Sequence, residues 1–541
     1  MFADFFETIV RLGGSLPEMS YDSLSFLIFL AVFLVLYWMM PRVGARQFVI
    51  FLGNIFFYAF AGGIELLAVI FATSLVVYFC AKAMGKIFAL YEWKSDGLPP
   101  KEKVRMLSYY RRRARIYVFL GVFFVLGILI FVKIGRFIGW EEIKSFRDIR
   151  ANTILVPLGL SYYSLSAAGY LLDIYWRKAK ADKHYFRLLL SMTFFPVIVE
   201  GPICHYDRLM NDFAELPGFR YENVCYGFQL IIWGLFKKSV IADRLTLYPT
   251  AIFENLENYA GIQVVLAVIA NVITLYADFS GCMDIVTGVA QAIGVELEPN
   301  FRQPFFSKTA AEFWRRWHIT LGAWFRDHVY MPMATGKGFM KRTNWIRRTF
   351  GKRAARIHST ALPLMVVWIL TGLWHGTGLD YLTWGLYWGI LIVIETAFEP
   401  EFKKINWLFR IDERSFSHRL FQMVRTFIFF AIGRMLTALG HPSGVFKIIE
   451  RIFAEARLDF LINGGLYKFG LSHAEVRLVI FGIILMWAVS MMQTRTKIRE
   501  TLAEQSIVIR WTVYIAAVVM LVLFATYGPS YTASSFVYGN F

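Results

Sequence analysis

Long apolar runs follow one another along this chain, separated by short polar connections. The first run, SFLIFLAVFLVLYWMM, ends at Pro41 and is followed by Arg42 and Arg46. Because about 20 apolar residues in a helix cross a hydrocarbon layer of about 30 Å, the pattern predicts a series of membrane-spanning helices. Further spans are predicted near 47–60, 63–82, 115–135, 153–172, 187–204, 225–242, 260–292, 358–374, 378–397, 420–438, 475–492 and 508–527.

Glycine and proline interrupt several of these runs, for example at 157–159 and at Gly201-Pro202. Irregular backbone at membrane depth is tolerated only where protein or a cavity covers it. We therefore expect some of the segments to be re-entrant. Since no long polar linker divides the sequence, we predict a single membrane domain over residues 1–541.

Composition and charge agree with a membrane protein. Of the 541 residues, 57% are hydrophobic and only 18% are charged, whereas about 25% is usual in soluble domains. The net charge of +18 is concentrated in two basic stretches, 94–115 and 337–357. Lys and Arg accumulate in the short cytoplasmic connections of membrane proteins, so we place both stretches in the cytoplasm and predict no nucleic-acid partner. The four scattered cysteines do not form a zinc pattern, and we predict no metal site.

His375 lies inside the apolar run that follows residue 362. An ionisable side chain at membrane depth is a functional candidate, and imidazole exchanges its proton near neutral pH. A general base needs that property. The alternative is a histidine bonded to a neighbouring helix or to water, because buried polar groups usually have partners.

The segment 312–332 combines aromatic and basic residues, with apolar side chains at helical spacing. It is typical of an amphipathic helix at the membrane interface. Glu312 is expected to pair with Arg315 or Arg316. His318, within this segment, is a second ionisable candidate.

Several sequence motifs resemble the membrane-bound O-acyltransferase (MBOAT) family. WRRWHITLGAWFRD followed by GLWHG matches its paired signatures, and VPLGLSYYSLSAAGYLLDIYW, FFPVIVEGPICHYDRL, GLFKKSVIADRL and YADFSGCMDIVTGVAQAIGVELEPNFRQPF follow in the family's order. The resemblance covers residues 24–440 and is nearest to the bacterial branch of AlgI and DltB. The length of the segment 441–541, predicted to hold C-terminal helices and a tail, favours AlgI.

The resemblance implies an all-α ring of roughly 11 to 13 transmembrane or re-entrant helices around a central tunnel. It implies that His375 is catalytic and that His318 is the second important residue. We expect further residues to support the tunnel. They are Trp374, Gly376, Trp317, Arg315, Arg316, Asp278, Ser280, Asp284 and Asn300.

Some of these residues have a structural alternative. Asp278 and Asp284 lie in an apolar run and need partners. We favour a role in tying helices together, through Arg315 or Lys237-Lys238. Asn300 is expected to be a turn or cap residue.

The resemblance also implies a function. We expect a multi-pass protein of the bacterial cytoplasmic membrane that moves an acyl group, most simply acetyl, from a cytoplasmic donor to hydroxyls of an extracytoplasmic polysaccharide or cell-wall glycan. The donor would be acetyl-CoA or an acyl carrier protein, used as a substrate rather than a bound cofactor, and an extracytoplasmic acyltransferase would complete the transfer.

Three alternatives remain: D-alanyl transfer toward teichoic acid, a transporter or flippase with a proton-relay histidine, and a structural scaffold.

The ending FVYGNF adds a further hypothesis. Tyr538 would accept the acyl group as an ester and pass it on, whereas the alternative is an aromatic membrane anchor.

Overall fold

The structure is a computed structural model, and the residues it describes are 19–62, 67–137, 158–455, 460 and 465–526. Within them the regular structure is helical, apart from one isolated antiparallel bridge between Phe301 and Trp317. The prediction of an all-α protein is confirmed. The described residues divide into two units, one of residues up to 231 together with 286–298, and one of residues 232–285 together with those from 299 to 526.

The first unit packs through aromatic rings and one buried amide. The ring of Phe195 lies 5.1 Å from that of Phe33. The side-chain oxygen of Asn54 accepts the backbone N–H of Phe195 at 2.9 Å, and its amide donates to Thr193 at 3.1 Å. The helices that begin in this unit are α1 Leu24–Met39, α2 Val43–Gly62, α3 Leu67–Ser95, α4 Pro100–Phe137, α5 Leu160–Trp176, α6 Tyr185–Met192, α7 Phe195–Ile198, α8 Tyr206–Ala214 and α9 Tyr221–Leu235.

The second unit also contains two π-helical turns, Phe236–Ala242 and Arg326–Tyr330. Such turns interrupt the regular backbone ladder and recur at functional sites. The helices that begin in this unit are α10 Asp243–Leu245, α11 Leu247–Glu254, α12 Ile262–Ala292, α13 Ala310–Arg316, α14 Ile319–Phe325, α15 Met331–Ala334, α16 Lys337–His375, α17 Leu379–Ala397, α18 Glu399–Leu408, α19 Phe416–Ala438, α20 Gly444–Ala454, α21 His473–Gln493, α22 Ile498–Ala503 and α23 Ile507–Phe524.

Helices α16 and α17 approach each other closely at small residues. A Cβ atom at Gly372 would lie 2.5 Å from the carbonyl oxygen of Tyr381, and one at Gly385 would lie 2.4 Å from that of Trp368. Small residues allow such close packing between membrane helices. The contact fixes the end of α16, which carries His375, against the start of α17.

Nine helical segments in the described residues are long and apolar enough to cross a membrane. The helices α17 and α18, bent by 59° at their junction, form a tenth if they are counted as one span. The predicted span 187–204 is instead divided between the short helices α6 and α7, with Pro196 in the first turn of α7. The break after α7 contains the Gly201-Pro202 pair noted in the sequence.

Two sequence interpretations are wrong. The basic stretches are not short connections between helices, because most of 94–115 lies in α4 and 337–357 forms the start of α16, which bends at Gly351. Their placement in the cytoplasm stays a prediction. The segment 312–332 is not one interfacial helix. It is divided among α13, α14, a π-helical turn and α15, and its apolar side chains, such as Phe313 and Trp317, are buried in the protein.

Candidate active site

His375 is the last residue of α16 and is buried, with 4% of its surface exposed. The helix ends there because the next residue, Gly376, turns to an extended conformation. A Cβ atom at Gly376 would lie 2.1 Å from the ring of Tyr381, so only glycine lets that ring approach. The imidazole packs between two indoles, with ring centroids 4.9 Å from Trp374 and 5.0 Å from Trp384.

His318 separates α13 from α14 and has a left-handed backbone conformation, with φ 48° and ψ 51°. This conformation is uncommon for residues other than glycine, although histidine adopts it more readily than most. Backbone hydrogen bonds hold the turn on both sides: Arg302 N–H donates to Arg316 O at 2.9 Å, and Ile319 N–H donates to Asn300 O at 3.0 Å. The turn places the imidazole in the protein interior, with 2% of the residue exposed.

Asn300 determines the protonated nitrogen of His318. The Oδ1 atom of Asn300 accepts the backbone N–H of Thr320 at 3.1 Å and the Thr320 hydroxyl at 2.9 Å. A backbone N–H can only donate, so this atom is the amide oxygen rather than the nitrogen. The same oxygen lies 3.2 Å from Nδ1 of His318. The proton of neutral His318 is therefore on Nδ1, and its lone pair is on Nε2.

The contacts of Asn300 go beyond the expected capping role. Its oxygen does accept the N–H of Thr320, as a cap residue would, and its amide nitrogen also lies 3.1 Å from the sulfur of Met283 on α12. The partner His318 is 18 positions further along the chain. Sequence spacing could not reveal this contact, because it depends on the pairing of 300–302 with 316–319.

The two histidines are neighbours. Their ring centroids lie 6.4 Å apart, and the rings of Phe279 and Trp374 pack against His318 at 4.9 and 6.0 Å. Burial, and to a smaller degree the nearby His375, holds the pKa of His318 well below its usual range. His318 is therefore neutral at neutral pH and can accept a hydrogen bond.

A cavity of about 450 Å³ reaches His318. Its wall is mainly aromatic and aliphatic, and within the described residues it includes His318 but not His375. The volume lies within the range of about 300–1,000 Å³ that is usual for small-molecule sites. Its lining includes His318, Trp314, Trp368, Thr371, Arg315 and Arg326.

The predicted support residues of α13 have different positions. Trp317 is buried, with its ring 4.9 Å from that of Phe430 and stacked on Phe313 at 5.5 Å, so it anchors the helix in the aromatic core. Arg316 pairs with Glu312 at 2.6 Å, which resolves the choice left open by the sequence. Arg315 is exposed and lies in the wall of the cavity.

The acidic residues of α12 bind lysines of the π-helical turn Phe236–Ala242. Asp284 pairs with Lys237 at 2.8 Å, and Ser280 accepts a hydrogen bond from the same ammonium group at 2.8 Å. Asp278 pairs with Lys238 at 2.8 Å. Of the two partners proposed from the sequence, the lysines rather than Arg315 are therefore correct.

Lys238 has a second acidic partner that sequence reasoning missed, Asp243, at 3.0 Å. Both groups are almost completely buried. Thr526, after the end of α23, donates to the other oxygen of Asp243 at 3.2 Å. The close approach of Gly234 to Gly281, where a Cβ atom would meet backbone oxygen at 2.5 Å, brings the lysines to α12. Since Phe279 lies between Asp278 and Ser280 in sequence, this ionic network also fixes the ring that packs on His318.

Tyr538 lies outside the described residues, and its relay role stays a prediction. Among the described residues no group of three or more His, Cys, Asp or Glu side chains is arranged to hold a metal ion.

The profile of the membrane-bound O-acyltransferase family matches residues 56–439. This is more than half of the chain. The protein belongs to the membrane-bound O-acyltransferase family. In this MBOAT protein, both histidines, the acidic residues of α12 and the cavity lie within the matched region. That region starts later than residue 24, where the sequence motifs placed its start, and ends one residue before the predicted residue 440.

Named relatives of this MBOAT protein include three kinds. It is 28% identical over 326 residues to a "Probable alginate O-acetylase AlgI" of Pseudomonas syringae pv. tomato, covering 59% of this chain and 57% of the relative. It is 26% identical over 325 residues to a "Peptidoglycan O-acetyltransferase" of Helicobacter pylori, covering 54% and 58%. It is 28% identical over 259 residues to a "Teichoic acid D-alanyltransferase" of Bacillus subtilis, covering 48% and 63%. The chain thus spans less than two thirds of the length of each of these relatives.

Proposed function

We propose that this protein is an O-acyltransferase component of the bacterial cytoplasmic membrane, which moves an acyl group from a cytoplasmic thioester donor toward hydroxyls of an extracytoplasmic glycan. The observation that carries the proposal is the pair of buried histidines, 6.4 Å apart, one of which lines a mainly apolar cavity. Membership of the family and the names of the relatives support the reaction class.

The proposed chemistry uses His375 as the general base. A ring nitrogen of His375 takes the proton of the acceptor hydroxyl while the hydroxyl oxygen attacks the acyl carbon. The C–O bond forms, the C–S bond breaks, and the proton passes from His375 to the departing sulfur. A positioned base of this kind contributes typically 10² to 10⁴ in rate.

His318 is proposed to act as a neutral hydrogen-bond acceptor beside the reacting groups. Its proton is held on Nδ1 by Asn300, so its acceptor is Nε2. Two positively charged imidazoles at this separation in a buried site would repel each other. A proton on His375 therefore keeps His318 neutral. The surrounding Trp and Phe rings exclude water, which favours transfer over hydrolysis of the donor.

Acetyl is the acyl group we propose, because two of the three kinds of relative are named as O-acetylating enzymes. D-alanyl transfer is the second candidate, favoured by the D-alanyltransferase relative. In either case we propose that an extracytoplasmic acyltransferase receives the group and completes its transfer to polysaccharide or teichoic acid.

The test uses a deletion strain complemented with the wild-type gene or with the His375→Ala variant. Acyl groups are released from the envelope by mild alkali and identified by mass spectrometry. We expect acetate to be lost on deletion, restored by the wild type and not restored by His375→Ala. Loss of D-alanine instead would establish the second candidate, and unchanged esters of both kinds would contradict an acyltransferase and leave the transporter reading.

The matched control is His358→Ala. His358 lies on the same helix, α16, 17 residues before His375 in the sequence. Its Nδ1 is 3.1 Å from the hydroxyl of Thr343. We expect this variant to restore esters as the wild type does. A similar loss in both variants, with equal protein levels, would indicate a general defect of α16 rather than a catalytic role.

A further inference from the structure

Arg315 and Arg316 are adjacent on α13 but differ in their partners. The guanidinium of Arg316 bonds Glu312 at 2.6 Å and the carbonyl oxygen of Gln303 at 3.5 Å. Arg315 is exposed and makes no hydrogen bond or ion pair with any described residue. An arginine that pairs with no residue in the described part of the chain can bind an external anion.

Arg315 lines two cavities. One is the cavity of about 450 Å³ that reaches His318, and the other is a larger cavity of about 1,120 Å³ bounded by α17, α18 and α19. Any elongated ligand that extends from the larger cavity toward His318 therefore has Arg315 at its side.

The charges around the smaller cavity leave Arg315 available. In the described part of the chain its wall contains two guanidinium groups, Arg315 and Arg326, and no Asp or Glu. Arg326 is held by both carboxylate oxygens of Asp327, at 2.8 and 2.9 Å. The rest of the wall is largely Trp, Phe and aliphatic side chains.

The larger cavity lies beside the basic start of α16. Glu399, Phe402 and Lys403 of α18 line it, and Glu401 of the same helix pairs with Arg353 at 2.7 Å. Arg353 belongs to the stretch 337–357, which its charge places in the cytoplasm. The larger cavity is thus on the side from which the donor is proposed to arrive.

We propose that Arg315 binds the phosphate at the end of the pantetheine arm of the acyl donor, while the arm extends through the smaller cavity with its thioester at His318. This inference rests on the proposed function. A planar guanidinium suits a phosphate because it donates two parallel hydrogen bonds. Coenzyme A and acyl carrier proteins present the same phosphopantetheine group, so Arg315 recognises the chemistry that both donors share.

The test compares two small donors that differ only in the phosphate: S-acetyl-4′-phosphopantetheine and S-acetylpantetheine. The full-length protein in lipid nanodiscs, supplied with the proposed extracytoplasmic acyltransferase and a glycan acceptor, is assayed for acetyl transfer as wild type, Arg315→Gln and Arg315→Lys. We expect Arg315→Gln to raise KM for the phosphorylated donor by about 10- to 100-fold, as for loss of a hydrogen bond to a charged group. KM for S-acetylpantetheine and kcat for both donors should change little, and Arg315→Lys should recover part of the loss.

Arg316→Gln is the control on the same helix, because Arg316 is already neutralised by Glu312. It should leave the ratio of the two KM values unchanged. An equal effect of Arg315→Gln on both donors, or no effect on either, would overturn the phosphate site while leaving the acyltransferase function intact. If the wild type uses neither donor, the proposed function fails, and the inference fails with it.

Acetyl-CoA and an acetylated carrier domain serve as the last two donors. A rise in KM of Arg315→Gln for both of these donors supports recognition of the shared phosphate. A rise in KM for acetyl-CoA alone would mean that Arg315 binds the nucleotide phosphates instead, which contradicts the proposal.

Discussion

The Oδ1 atom of Asn300 lies 3.2 Å from Nδ1 of His318 and accepts hydrogen bonds from both the backbone N–H and the hydroxyl of Thr320. One amide oxygen thus holds the start of α14 and the orientation of the imidazole. The consequence for the proposed chemistry is that Nε2 of His318, rather than Nδ1, is the acceptor.

Replacing Asn300 should impair transfer through His318. In Asn300→Leu the Nδ1 proton loses its acceptor, the imidazole can rotate or change tautomer, and we expect kcat to fall roughly 10- to 100-fold, part of the 10² to 10⁴ that a positioned acid–base group supplies. The control Thr320→Val removes a hydroxyl bonded to the same oxygen but keeps the His318 contact. Equal kcat values for the two variants would show that the fall in kcat comes from disturbing the turn at the start of α14 and not from the lost contact with His318.

Asn300→Asp should change the pH profile in a defined direction. A carboxylate beside the imidazole favours its charged form and raises the pKa of His318, which burial keeps low in the wild type. Because the proposed chemistry requires neutral His318, the acid limb of kcat/KM should move to higher pH. An acid limb at the same pH in both proteins would contradict the requirement for neutral His318.

His318 should make the protein less stable in acid. Its pKa in the folded protein is below that of the unfolded chain, so the unfolded chain binds more protons as pH falls below about 6.5, the ordinary histidine value. Stability is therefore lost on acidification. We expect the thermal midpoint of the wild type to fall more steeply below that pH than that of His318→Gln, and parallel curves would contradict the buried neutral histidine.

The loss of stability on removing a lysine from the ionic network between α12 and the π-helical turn Phe236–Ala242 should depend on which lysine is removed. Lys238→Met leaves Asp278 and Asp243 buried without their cation, and removing one partner of a buried pair costs roughly 3–5 kcal/mol. Lys237→Met should be milder, because its partner Asp284 is 28% exposed. Thermal unfolding in detergent measures both. Equal destabilisation of the two variants would mean that burial of the acidic partners does not determine the free-energy cost of removing the lysine.

Gly376 is predicted to be required for the space it leaves to Tyr381. In Gly376→Ala the new methyl group would lie about 2.1 Å from the tyrosine ring, so the end of α16 and His375 must shift. We expect transfer to fall sharply, and Tyr381→Ala in the same chain to restore part of it. Gly338→Ala on the same helix, where no atom lies within 4 Å of the added Cβ, should behave as wild type.

The helices and the two histidines were predictable because their signals are local. Apolar runs predicted the spans, and the family motifs selected His375 and His318, whose rings lie 6.4 Å apart in the structure. Their catalytic role stays a prediction. The contacts of the site were not predictable, since the bond between Asn300 and His318, the acid Asp243 beside Lys238 and the division of 312–332 into short helices depend on pairings between distant segments. Likewise Glu312 could reach either neighbouring arginine along the helix, and only the packing of α13 assigns it to Arg316.

Acyl transfer by membranes that contain equal amounts of wild type, His375→Ala, His318→Ala and His358→Ala tests the central claim most directly. The membranes, which also contain the proposed extracytoplasmic acyltransferase, receive a radiolabelled acetyl thioester and a glycan acceptor, and labelled ester is counted. We predict that His375→Ala loses at least about 100-fold, that His318→Ala is also impaired, and that His358→Ala equals the wild type. Wild-type ester formation by His375→Ala would contradict the catalytic role of the histidine pair.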